Sequence, residues 1–193
     1  MTPFRILASA TIFALILGGG LHWEAPLSLS TAQAAEEDHP LVSRYAESKL
    51  RMRRDLAFDE YDLVIGPGEQ RELETLRLEG RVTKLIYDNP RGRSTLEISR
   101  NYRDALTAQG MELLFECRGR DECAGTKSGR SYQRVADINI GNDGDHRYFS
   151  GRLPHGGGEA HLAVMVNSHR SWVYVIETAA MESGLVTADA SSL

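Results

Sequence analysis

The sequence is poor in cysteine, proline and aromatic residues: two Cys, six Pro and 7% aromatic among 193 residues. Each shortage excludes something. Two thiolates rule out an all-cysteine zinc centre and would need two further ligands for any other. Sparse aromatics, mostly in phase with a core, leave no stacking platform for single-stranded nucleic acid. The net charge of −5 removes any general attraction to nucleic acid or to anionic membranes. There is no G-x-S-x-G, S-x-x-K, H-E-x-x-H or phosphate-cradling G-x-x-x-x-G-K, so no motif selects a nucleophile, a zinc helix or a nucleotide site. A triad assembled from distant residues is not excluded, because triads are not local in sequence. No internal repeat and no heptad is present.

What is there begins at the N-terminus. Arg5 is the only charge before an apolar run from Ile6 to Leu17, which is followed by Gly18 to Gly20 and later by Ala32-Gln33-Ala34. Charged, apolar and small-x-small regions in that order predict a secretory signal over residues 1–34, with the mature chain starting near Ala35, outside the cytoplasm. The run is shorter than the roughly 20 residues of a membrane helix. Extending it to Trp23 takes in three glycines and His22, so an uncleaved anchor is the alternative. With no Cys near the cleavage site, a lipoprotein anchor is disfavoured. Arg5 and Glu24 cancel, so the mature chain keeps the charge of −5. Residues 35–183 fit one domain with its own core. Residues 184–193 form a small, polar tail.

Cys117 and Cys123 make an even count in a chain with an export signal, which predicts a disulfide. The small loop it closes predicts a stabilisation of about 2 kcal/mol. Two free thiols, one of them buried, are the alternative; a metal site is a poor third, with no histidine nearby in sequence.

Phe58 to Ile65 reads as a strand ended by Gly66-Pro67-Gly68. Leu41 to Leu50 reads as a short helical or irregular lead-in. Leu76, Leu78, Gly80 and Val82 alternate with charged or polar residues, as in a half-buried strand. Leu85 and Tyr87 fall on the other parity, which predicts a bulge near Lys84. Ser94-Thr95-Leu96-Glu97 is a capping box. It predicts a helix over about 95–109, with Ile98, Tyr102, Ala105, Leu106 and Gln109 inward and Gly110 as its stop. Met111 to Glu116 and Arg147 to Leu153 read as strands. Residues 132–140 are ambiguous between strand and helix. Ala160 to Asn167 and Trp172 to Glu177 predict an antiparallel hairpin. The expected class is α+β: a mostly antiparallel sheet with one main helix packed on one face.

Leu78-Glu79-Gly80-Arg81-Val82-Thr83, Tyr87, Pro90-Arg91-Gly92-Arg93-Ser94-Thr95-Leu96-Glu97-Ile98, Arg100-Asn101-Tyr102, Ala105-Leu106, Gly110, Leu114-Phe115 and the pair Cys117/Cys123 occur in that order. Together with His39-Pro40-Leu41-Val42-Ser43-Arg44-Tyr45 and Ala180-Met181-Glu182-Ser183-Gly184 near the ends, they resemble an uncharacterised envelope domain. That domain stands at the N-terminus of some OmpA-family proteins of Gram-negative bacteria. The resemblance covers nearly all of the mature chain. It implies an exported envelope protein of no established activity and no catalytic residues to transfer. In many relatives an OmpA-like peptidoglycan-binding domain follows. This sequence ends at Leu193, where that domain would begin, so peptidoglycan binding by that route is not carried over.

The candidate sites each have a plain alternative. Arg91 and Arg93 precede a helix N-terminus and suit a phosphate or lipid headgroup; Ser94 and Glu97 compete for the same donors, which favours a solvated turn. Trp172 and Tyr174 share a strand face and suit a binding groove, with core packing as the default. His155, Glu159 and His161, with Asp143, Asp145 and His146, suggest metal ligands, but their spacing matches no zinc pattern. Asn142-Asp143-Gly144-Asp145 is too short for an EF-type calcium loop. No metal and no cofactor is therefore expected. Arg51, Arg53 and Arg54 face either anionic lipid or their acidic neighbours, the second being preferred. The leading expectation is a non-enzymatic periplasmic module, associated with the outer membrane in one version. It would bind an envelope protein, glycan or lipid and would have no membrane span in the mature chain. The rival is a periplasmic hydrolase or metal-dependent enzyme built from scattered His and acidic residues.

Overall fold

The computed structural model of the protein describes residues 38–67, 73–123, 133–135, 138–140, 144–156 and 158–186. The expected signal segment, its cleavage site, Asp143 and residues 187–193 of the tail lie outside them. The described elements run β1 (Lys49–Pro67), β2 (Leu73–Asp88), α1 (Thr95–Ala108), β3 (Glu112–Arg118), α2 (Gly119–Cys123), β4 (Gln133–Val135), β5 (Ile138–Ile140), β6 (Arg147–His155), β7 (Gly158–Val166) and β8 (Arg170–Thr178). Six strands form one sheet in the order β1-β2-β8-β7-β6-β3, each neighbouring pair antiparallel. β4 and β5, in the ambiguous stretch, pair with each other. This is an α+β fold. No described helix is long and apolar enough to cross a membrane.

Central strand β7 shows why the sheet holds. Every residue from Ala160 to Val166 is buried, so both faces are dry. Ala160, Leu162, Val164 and Val166 join a cluster with Leu85, Tyr87, Phe149, Val173, Val175 and the helix residues Ile98, Tyr102 and Leu106. Ala163 and Met165, on the other parity, join a second cluster with Val82, Tyr148, Tyr174 and Ile176. A strand alternates its side chains between faces, so an apolar residue is stable at either parity when both faces are covered.

That corrects one expectation. β2 has no bulge at Lys84: it pairs with β8 residue for residue from Gly80↔Thr178 to Asp88↔Arg170. Val82 turns to the second cluster while Leu85 and Tyr87 turn to the first. The apparent slip in the sequence records two buried faces. The irregularities lie in β1, between Leu50 and Met52, Leu56 and Asp59, and Val64 and Gly66. Each adds one residue to β1, which bends and twists the ribbon.

β2 leaves β8 at Gly80. Beyond it, the outer half of the β1–β2 hairpin carries Tyr61, Leu63, Val64 and Leu78 into the second cluster. The hydroxyls of Tyr148 and Ser150 both donate to the Val64 carbonyl, at 3.1 and 2.6 Å. The hairpin is thus folded back over the sheet's second face. A Cβ at Gly80 would collide with the Glu177 carbonyl oxygen, so this departure point needs glycine.

Helix α1 contributes Ile98, Tyr102 and Leu106 to the first cluster. Ser94 Oγ accepts from the Glu97 N–H at 3.1 Å, as expected of the cap. The reciprocal arm is different: Glu97 Oε1 accepts from the Tyr45 hydroxyl (2.8 Å) and from Arg93 (3.1 Å). The tertiary partner Tyr45 takes the carboxylate that a local box would use. At the other end Gly110 N–H bonds the Thr107 carbonyl and Met111 N–H the Leu106 carbonyl, with Gly110 at φ 96°. This is a Schellman stop, and Met111 and Leu106 meet in the core. Cys117 and Cys123 are joined in a disulfide with Cα atoms 5.1 Å apart.

Candidate functional site

The described residues form two concave regions of interest. The first is built by residues 38–48, an irregular strap rather than a helix. Asp38 is its anchor: its carboxylate accepts from Arg44 N–H (3.0 Å), Arg44 Nε (2.8 Å) and the Tyr87 hydroxyl (2.9 Å). The Val42 N–H closes a turn on the His39 carbonyl at 3.0 Å, and Val42 enters the core. The far end is held by Tyr45, whose N–H donates to the Tyr102 hydroxyl at 2.9 Å. Strap and helix enclose a cavity of about 300 Å³ lined by Val42, Tyr45, Asn101, Tyr102, Leu106 and Gln109 among others. Burial pushes the Tyr87 and Tyr102 phenols well above their ordinary range. They stay protonated at neutral pH and serve as hydrogen-bonding struts, not as acid–base groups.

The second is a depression of about 410 Å³ where β2, β8 and the β6–β7 turn meet, lined by Arg81, His155, Glu159, Glu177 and Thr178. Glu177 lies between two imidazoles: His39 Nε2 is 3.6 Å from Oε2 and His155 Nε2 is 3.7 Å from Oε1. Both separations exceed hydrogen-bond length. His39 Nδ1 accepts from the Leu41 N–H at 3.2 Å. In neutral His39 the proton therefore sits on Nε2, facing Glu177, and that nitrogen is not free to ligate a metal. Burial holds His39 below the ordinary histidine range, against the pull of Glu177.

The residues singled out from the sequence lie apart. Arg91 is exposed in the turn before α1, and Arg93 pairs with Glu97 at 3.1 Å. Tyr174 is buried in the second cluster, edge-on to Tyr61 at 5.8 Å. The Lys84 ammonium lies 5.6 Å from the Tyr174 ring centre and 5.9 Å from that of Tyr61. Trp172 packs half-buried against the same cluster. Arg53 pairs with Asp55 at 2.7 Å and Arg51 with Asp88 at 3.5 Å. His155 and Glu159 share the depression, whereas His161 is buried opposite Ile176 with Nδ1 unpartnered. His146 is buried and Asp145 exposed. Among the described residues no group of three or more His, Cys, Asp or Glu side chains is placed to hold a metal. Arg81 and Glu177 escaped the sequence reading. Arg81 sat at a solvent parity of β2 and Glu177 at a strand end, and only their opposition across β2 and β8 brings them together.

No protein-family model matches the chain, and no curated protein is significantly similar to it.

Proposed function

We propose that this is an exported, periplasmic binding module of the Gram-negative cell envelope, akin to the domain that precedes OmpA-like domains in some envelope proteins. The observation that carries the reading is the Cys117–Cys123 disulfide, because such bridges persist in oxidising compartments and are rare in the cytosol. The N-terminal signal pattern and the ordered matches to the envelope domain support it. A binding role fits the way the titratable groups are used. The buried tyrosines and Asp38 hold the strap, and the exposed arginines largely pair with neighbouring acids.

Expression of the full chain in a Gram-negative host, followed by osmotic-shock fractionation and intact-mass measurement, tests the export. The expected product is periplasmic, begins near Ala35 and gains no label from alkylation without reductant. A cytoplasmic, thiol-labelled product would overturn it. Co-sedimentation with purified sacculi and with lipopolysaccharide vesicles then asks which envelope surface is bound.

A further inference from the structure

Arg81 and Glu177 are directly opposed residues of β2 and β8, and both line the 410 Å³ depression. Opposite charges in this cross-strand relation have Cβ atoms only about 5 Å apart and ordinarily pair. Here they do not. Glu177 is drawn toward His39 and His155, and Arg81 makes no ion pair or side-chain hydrogen bond among the described residues. The other acid of the depression, Glu159, is turned to Arg152 at 3.4 Å. The result is one guanidinium with no ion pair among the described residues beside one carboxylate oriented by two imidazoles. Two contacts tie the strands together here: the close approach of Gly80 to the Glu177 carbonyl and the Thr178 hydroxyl donating to the Glu159 carbonyl at 3.1 Å.

We infer that this depression binds a zwitterionic amino-acid group, its carboxylate on Arg81 and its ammonium on Glu177. Guanidinium and carboxylate meet in a planar, two-bond fork. An ammonium beside Glu177 adds a full positive charge and closer donors to the two imidazoles, which stand at 3.6 and 3.7 Å. A phosphate is the poorer fit, because the Glu177 carboxylate would face its second charge. The volume lies in the range of small-molecule sites. This inference deepens the binding-module reading by naming a ligand class. The two fail separately: a cytoplasmic product would leave the depression's chemistry untouched, and an empty depression would leave export untouched.

The test is titration of the ¹⁵N-labelled mature protein with alanine, acetate, methylamine and inorganic phosphate. Alanine is expected to shift the amides of Arg81, Gly158, Glu177 and Thr178 along a saturable curve in the millimolar range, with acetate and methylamine each weaker by about tenfold or more. Arg81→Gln, an exposed change that spares the core, should abolish saturation. Glu177→Gln should leave acetate binding intact while removing alanine's advantage over it. Acetate or phosphate binding as tightly as alanine would overturn the proposal, as would a wild-type protein with no saturable shift or an Arg81→Gln protein that binds normally. The wild-type comparison of the four probes decides the matter even if Glu177→Gln proves unstable.

Discussion

The two faces of the six-stranded sheet are closed by different devices. The first takes Ile98, Tyr102 and Leu106 from a separate element, α1, which Tyr45 ties to the strap that Asp38 anchors to Tyr87. The second is covered by the sheet itself: the outer half of the β1–β2 hairpin folds back, and β3 and α2 are clipped there by the disulfide. A docked helix relies on one amphipathic stripe and its caps. A folded-back hairpin relies on a bend at Gly80, three extra residues in β1, and two hydroxyls that satisfy one buried carbonyl at Val64. The first kind of closure is local in sequence and the second is not.

Substitutions can break either closure and show whether the two are independent. The largest effect is expected on the first face. Leu106→Ala removes a fully buried side chain and should cost about 2–5 kcal/mol through its cavity, read by urea unfolding. Gly80→Ala attacks the second face. Its methyl meets the Glu177 carbonyl, so the ribbon must shift, at a cost of about 1–3 kcal/mol. Amide exchange should rise in Tyr61–Pro67 before it rises in α1; a uniform rise would show that the faces open together. Removing both cysteines as Cys117→Ala/Cys123→Ala should cost about 2 kcal/mol, since the loop is short. It should leave exchange in α1 unchanged. Ser94→Ala loses one cap and should cost about 1 kcal/mol. A Ser94 variant less stable than the Leu106 variant would mean that α1 is held by its cap rather than by its buried face.

The smallest expected effect is a pH slope shared between the faces. His39 lies beside the first face and His161 on the second, and burial is the main cause holding each below the ordinary histidine range. Just below the ordinary value of 6.5 the unfolded chain then binds more protons than the native state. Stability is full above that value and declines as the pH falls through it toward the folded values. Urea midpoints at about pH 7.5 and about pH 5.5 should differ in this sense. His39→Phe and His161→Phe should each remove part of the difference. A midpoint higher in acid would contradict the burial of both rings.

Much of the architecture was legible in the residues: α1 with its Ser94 cap and Gly110 stop, the β7–β8 hairpin, β3 leaving the helix, and the cysteine pair. These features depend on neighbours within a few positions, where capping, turn chemistry and periodicity act directly. The site was less legible. Trp172 and Tyr174 announced a shared face but not that the face would be roofed by Tyr61. Arg91 and Arg93 announced charge near a helix start but not the Tyr45 contact that occupies Glu97.

What the sequence determined by itself, then, is α1 with its Ser94 cap and Gly110 stop, the β7–β8 hairpin and the α+β class, because each rests on local free-energy differences that only a few adjacent residues control. The tertiary structure alone decided that both faces of central β7 are dry, that Gly80 is a point of close approach rather than a weak spot in a strand, and that Arg81, Glu177 and His155 share one depression with His39 beside Glu177. Those outcomes depend on strand pairing between residues far apart in the chain, and the register that opposes Arg81 to Glu177 is set by burial summed over the whole sheet.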